Sequence, residues 1–223
     1  MAGPLKPIFD LDGVIINSEP FHQQIEKEMM LDRGLSLTEA EHRQLVGMAG
    51  YDMWKILADR YHLAESVDDL RAEKRERTAD FLETMDGSVL VPGSIDCLRS
   101  FHEAGLTLAL ASSAGRWYVE RIIDRFDIHR FFSAVVTGWD VQRSKPAPDI
   151  FLLTAEKLNT DPARCAVIED SENGVRAARD AGMAVVGYQN PCSITQNLSA
   201  ADMVIRDFSE LTAHRLTDLL QKE

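Results

Sequence analysis

The sequence predicts an α/β fold, a doubly wound parallel sheet with a block of helices inserted after its first strand. Three observations predict it. From Gly93 onward, short apolar runs alternate with helical periodicity. Those runs are nearly continuous in apolar character, as parallel strands covered on both faces require. Residues from about 18 to 87 break the alternation, and nothing in them reads as a strand. At 223 residues the chain is long enough for a large domain carrying a smaller insertion.

In chain order, Ile8-Phe9 is a short first strand. Within the inserted block Phe21, Ile25 and Met29 are spaced four apart, and Thr38 with Glu41 and Ser66 with Asp69 have capping-box spacing. The run RAEKRER, Arg71 to Arg77, reads as the solvated face of a helix. Beyond Pro92-Gly93, Ser94 is expected to cap a helix that ends before Gly105. Strands are expected at Leu106–Ser112, Ala134–Thr137, Cys165–Glu169, Ala184–Tyr188 and Met203–Ile205. Between them Val119, Ile122, Ile123 and Phe126 form one helical stripe, and Ile150, Phe151, Leu153 and Leu158 another. A helix from about Gly174 is closed by Gly182, and Leu211–Leu220 reads as an amphipathic C-terminal helix. Strand–helix alternation of this kind argues for the doubly wound sheet. The expected division is a core of residues 1–17 and 88–223 and a helical block of 18–87, with flexible joins at Ile15–Glu19 and Ser88–Gly93.

A hydrophobic content of 45% and a charged content of 27% are ordinary for a soluble globular protein. The formal net charge of −12 argues against nucleic acid and anionic membranes as partners. It leaves room for an anionic substrate, because a metal ion and a lysine reverse the field locally. Cys97, Cys165 and Cys192 are widely spaced, without a CxxC pair, and read as ordinary thiols in a reducing compartment. The start lacks a signal-like apolar stretch and no run approaches a membrane span, so a cytoplasmic location is expected; the protein is further expected to be a monomer.

Four segments carry chemistry. In FDLDGV, Asp10 and Asp12 lie at the carboxyl end of the first strand, where open α/β sheets bind ligands. Residues two apart share a facing, so both carboxylates can converge; they repel unless a cation joins them or one is protonated. Mg²⁺, a hard oxygen-seeking ion, suits such a pair. A solvated Asp-Gly turn is the competing reading. Ser112-Ser113, after LALA, can hold phosphate oxygens before a helix start, or can simply cap that helix. Lys145 is followed by Pro-Ala-Pro, which stiffens the backbone and leaves the charged tip free; a plain surface loop is the alternative. Glu169-Asp170 follows CAVI and supplies further carboxylates, or an N-cap for the next helix.

In combination, the order DxDGV, serine after a strand, Lys-Pro, and Glu-Asp after a strand resembles the haloacid dehalogenase superfamily of phosphotransferases. The resemblance spans nearly the whole chain. DLDGVIINSEPFH and the inserted helices resemble the members with a helical cap, phosphatases and β-phosphoglucomutase among them. The resemblance implies a Rossmann-like core and an Mg²⁺-dependent phosphatase acting on a small phosphorylated metabolite of the sugar-phosphate kind. It implies Asp10 as nucleophile and Asp12 as general acid. Mg²⁺ would be held by Asp10, the backbone carbonyl of Asp12 and Asp170, with Glu169 a ligand or a partner behind the ligands. Ser112 and Lys145 would bind the phosphoryl group, with Ser113, Arg116 and His22 further candidates around the substrate.

A mutase of this family places an arginine in a cap stretch similar to Leu45–Asp52, where this chain has Gly50; Arg116 is the substitute cation to consider. Asn17 stands where that family is expected to have aspartate. A phosphonate hydrolase would need a cap lysine, for which Lys27 and Lys55 are the candidates, and a binding module without catalysis would lack a catalytic aspartate. Trp54, Tyr51, Met48, Trp117 and Arg116 are candidates to line the crevice between cap and core, although Trp54 also fits the cap's own core.

Overall fold

The computed structural model describes residues 5–45, 48, 50–191 and 196–220. Cys192, Val46, Gly47 and Ala49 lie outside them. The chain forms two compact units, divided between Ser18 and Glu19 and between Asp86 and Gly87.

The first unit is built on a six-stranded sheet. Its strands are β1 (Lys6–Phe9), β2 (Leu108–Ser112), β3 (Phe132–Thr137), β4 (Cys165–Glu169), β5 (Ala184–Tyr188) and β6 (Met203–Ile205), in the order β3-β2-β1-β4-β5-β6. Every pairing is parallel, with Ile8 opposite both Ala109 and Val167. Because side chains alternate between faces, Ile8, Ala109, Val167 and Val185 pack on one side with Phe151 and Val175 from the helices. On the other side Phe9 meets Phe101, with ring centroids 6.1 Å apart. The helices of this unit are α5 (Ser94–Glu103), α6 (Arg116–Arg125), α7 (Asp149–Lys157), α8 (Glu172–Asp180) and α9 (Ala213–Leu219).

Local chemistry moves several expected boundaries. Gly93, with φ of 79°, takes the N-cap position of α5, and Ser94 is its first residue. The Ser94 hydroxyl donates to the carbonyl of Val91 at 2.7 Å rather than accepting from the helix. Strand β2 starts at Leu108, because the Leu106 amide closes α5 on Phe101 and Thr107 accepts from Lys6. The C-terminal segment opens with a 3-10 turn at Phe208–Glu210, and Thr212 then caps α9.

The second unit holds α1 (Glu19–Leu31), α2 (Glu39–Leu45), α3 (Gly50–Tyr61) and α4 (Val67–Thr84), with no strand among the described residues. The capping box at Ser66 and Asp69 is present, and Thr38 and Glu41 bond reciprocally. Phe21 stacks on Phe81 with centroids 4.6 Å apart, and Trp54 and Leu57 are buried.

The joins expected to be flexible are paired with each other inside the first unit. Asn17 donates to Val89 at 2.7 Å and Val91 to Ile15 at 2.9 Å, and Ile15, Ile16 and Val91 are buried. Two short ladder bonds and three buried apolar side chains fix these stretches where a loose hinge was expected. Among the described residues no helix is long and apolar enough to cross a membrane.

Candidate active site

The strand order reverses between β1 and β4, and ligands of open α/β sheets bind in the crevice beyond the carboxyl ends at such a point. Asp10 is the first residue past β1 and Glu169 the last of β4. The Asp10 amide donates to the Ile168 carbonyl at 3.0 Å, which extends the ladder by a rung and sets Asp10 beside Glu169. Asp170 follows, with its carboxylate over the turn after Asp12. A Cβ on Gly13 would lie 2.0 Å from Asp170 Oδ2, and Gly13 has φ of 77°, so this position needs glycine for both space and conformation.

Lys145 joins the cluster from the loop before α7. Its ammonium donates to Asp10 Oδ1 at 2.5 Å, Glu169 Oε1 at 2.7 Å and the Ala111 carbonyl at 3.1 Å. Three N–H groups thereby meet three acceptors, and the Phe151 ring lies 4.9 Å away as a cation–π partner. The side chain is 6% exposed. Burial works against its charge, yet Asp10 and Glu169 outweigh burial and raise its pKa, so it stays an ammonium.

The acids respond the other way. Burial pushes the Asp10 carboxyl well above the usual range; Lys145 opposes, while Glu169 and Asp12 add to the rise. Burial also raises Asp12, against hydrogen bonds from Ser18 and Tyr118. The cluster thus sets Asp10, Asp12, Glu169 and Asp170 against Lys145, an excess of negative charge that another cation would relieve.

The residues present fit Mg²⁺. Asp10 and Asp170 carboxylates and the Asp12 carbonyl are hard oxygen donors, and the Gly13 gap lets Asp170 close over the same turn. Among the described residues no three Asp, Glu, His or Cys side chains could hold an ion by themselves. Glu169 stands behind this set. Its Oε1 accepts from Lys145, and its Oε2 accepts from the amide and hydroxyl of Ser171, both at 2.8 Å. Both oxygens are engaged with Lys145 and Ser171, contacts that fit the second of the two expectations for Glu169, a partner behind the ligands.

The other expected residues are distributed unevenly. Ser112 is buried at the end of β2, next to the carbonyl that anchors Lys145, and its Oγ accepts from the Ala114 amide at 3.1 Å. Ser113 is exposed, its backbone carbonyl packed on Gly138. Arg116 donates to Asp140 at 2.5 Å and to Glu120 at 3.5 Å, so its charge is already countered and it is no free phosphate clamp. His22 belongs to the helical unit. Burial, with Lys74 adding, pulls it down to about 3, which makes it a neutral imidazole at physiological pH and no cation for phosphate. In that unit Trp54 is buried, while Met48 and Tyr51 are exposed.

Sequence reasoning missed two side chains. The Tyr118 hydroxyl donates to Asp12 Oδ1 at 2.8 Å; its spacing of four from Ile122 was the available signal. Asn190, two residues past β5, donates to the Gly13 carbonyl at 2.7 Å and to Asn17 Oδ1 at 2.8 Å. Asn17, where aspartate was expected, thereby accepts a bond that ties the DxDG turn to the following join.

The model of the haloacid dehalogenase-like hydrolases matches residues 7–188. The chain belongs to that family. Among its relatives in the haloacid dehalogenase-like family, fructose-1-phosphate phosphatase YqaB of Escherichia coli is 31% identical, covering 80% of this chain and 93% of its own. A phosphorylated carbohydrates phosphatase of Thermotoga maritima is 30% identical over 79% of this chain and 81% of its own. In structure, CbbY from Rhodobacter sphaeroides in complex with phosphate is similar with a TM-score of 0.80 and 25% identity, covering 94% of this chain and 96% of that one.

Proposed function

We propose that this haloacid dehalogenase-like hydrolase is a phosphatase that cleaves a small phosphomonoester of the sugar-phosphate kind through an aspartyl-phosphate on Asp10. The observation that carries the reading is the Lys145 ammonium shared by Asp10 and Glu169 where the sheet reverses, with Asp12 two residues on. The names of the Escherichia coli and Thermotoga maritima relatives support the substrate class.

In the first step an Asp10 oxygen attacks phosphorus, the bond from phosphorus to the leaving oxygen breaks, and Asp12 gives that oxygen its proton. In the second, Asp12 takes a proton from water as the water oxygen attacks the phosphorus of the aspartyl-phosphate. Inorganic phosphate departs and the Asp10 carboxylate is restored. The raised pKa of Asp12 suits a group that must hold a proton before it delivers it. Ser112 and Lys145 bind phosphoryl oxygens, the lysine turning an N–H from one of its present acceptors to the incoming group, so charge is met without moving a protein group far. Mg²⁺, held by Asp10, Asp170 and the Asp12 carbonyl, supplies when bound the further positive charge that phosphoryl transfer needs. Residues 18–87 act as the cap that excludes water and selects the leaving group.

A mutase would need a second phosphate anchor. Gly50 begins α3 with open space where a Cβ would be, and Arg116 is engaged by Asp140 and Glu120. Neither position supplies the anchor, which favours hydrolysis. The test is phosphate release from a panel of phosphomonoesters with EDTA and then with excess Mg²⁺, including β-glucose 1-phosphate with a trace of the 1,6-bisphosphate. Release that stops with chelator and returns with Mg²⁺ is expected. Conversion to glucose 6-phosphate with little free phosphate would overturn the hydrolase reading, and turnover indifferent to chelation would overturn the metal.

A further inference from the structure

We propose that Tyr118 is a positioning residue for Asp12, holding the carboxyl so that Oδ2 carries the proton delivered to the leaving group. The proposal rests on the reading of Asp12 as general acid. Tyr118 is 4% exposed and lies in the first turn of α6, where Val119, Ile122 and Ile123 are buried with it. A rigid ring on a packed helix turn fixes its hydroxyl in space, and that hydroxyl donates to Asp12 Oδ1 at 2.8 Å. Ser18, also buried and the last residue before the helical unit, adjoins this pair.

Two features set this contact apart from an ordinary satisfied tyrosine. Its acceptor is the carboxyl whose orientation the reaction depends on, and Oδ1, once occupied, leaves Oδ2 to carry the proton. In addition, α6 begins just past Ser112, whose Oγ sits in the loop that would hold the phosphoryl group. A single loop and helix start therefore places both the phosphoryl oxygens and the proton donor. An error of this carboxyl's orientation would be felt when the leaving group is protonated and again when Asp12 takes a proton from water, so the two steps are read separately.

Tyr118→Phe keeps the ring and removes the bond. The experiment compares the single-turnover rate at which Asp10 is phosphorylated by an alkyl phosphate and by p-nitrophenyl phosphate in the full Mg²⁺-loaded protein, the Phe variant and Asp12→Asn. Because a good leaving group needs little protonation, the phosphorylation rate with the alkyl ester should fall about tenfold or more in Tyr118→Phe. With p-nitrophenyl phosphate that rate should stay within about twofold, while any slowing of aspartyl-phosphate hydrolysis is the same for both substrates. Ser18→Ala should show the same split more weakly, and serves if the Phe variant folds poorly. Equal losses on the two substrates, or no loss on the alkyl ester while Asp12→Asn still discriminates, would overturn the role of Tyr118 alone. Failure of Asp12→Asn to discriminate would remove the general acid itself, and the proposal with it.

Discussion

The two units of this protein treat buried charge in opposite ways. In the helical unit, each buried or half-buried acid at a helix contact meets a cation. Glu26 is held by His42 at 2.9 Å and by Lys74, and Arg33 donates to Glu65 and Glu73. Arg77 bonds Asp32 at 2.5 Å and Glu73 at 2.7 Å. Burial alone would raise Glu26, but His42 and Lys74 outweigh it and hold the carboxyl below its usual range. At the sheet edge Asp10 and Asp12 rise instead, since Lys145 is outnumbered. Balanced charge fastens helices to one another, whereas unbalanced charge marks a place built for something that arrives from outside.

The largest way to break the comparison is Asp10→Asn. Turnover should fall below detection on every phosphomonoester, because an amide cannot attack phosphorus, while the thermal midpoint stays close to that of the parent. A variant that loses activity by unfolding would show a lowered midpoint instead. On the balanced side, Glu26→Gln leaves His42 and Lys74 facing a neutral group. Urea unfolding should report a loss of about 3–5 kcal/mol, the range for breaking a buried ion pair. Its kcat, measured well below the unfolding midpoint, should match the parent.

The smallest effect is a difference of sign with pH. An acid whose folded pKa is raised makes the folded state bind more protons, so stability falls as pH climbs from the unfolded value toward the raised one. Asp10 and Asp12 therefore penalise the metal-free protein as pH rises above 3.8, the ordinary value for an aspartate. Glu26, with a lowered pKa, contributes stability present above 4.5 that is lost as pH falls through its folded value. Unfolding curves of chelated protein across this range should show the Asp10→Asn variant gaining relative to the parent as pH rises, and Glu26→Gln gaining as pH falls. Added Mg²⁺ should flatten the first trend and leave the second unchanged.

How much of this could be read beforehand depended on the kind of signal. Strands β4, β5 and β6 have the expected boundaries because their apolar runs stop abruptly at polar residues. Strand β3 starts at Phe132, two residues early, because it lies at the sheet edge where Ser133 is exposed and periodicity blurs. The acids, Ser112 and Lys145 were legible as residue types at strand ends. That both oxygens of Glu169 are taken, and that Asp140 holds Arg116, depends on tertiary contacts that spacing does not encode. Tyr118 and Asn190 were missed for the same reason: each reaches the DxDG turn from more than a hundred residues away.

The most direct test of the central claim is to trap the covalent intermediate. The Mg²⁺-loaded protein is mixed with substrate, quenched in acid within the turnover time, digested and weighed by mass spectrometry. A peptide containing Asp10 that carries an added phosphoryl group, absent from Asp10→Asn, is the predicted result. A phosphoryl group on any other peptide, or parent-level turnover with none trapped at any quench time, would contradict it.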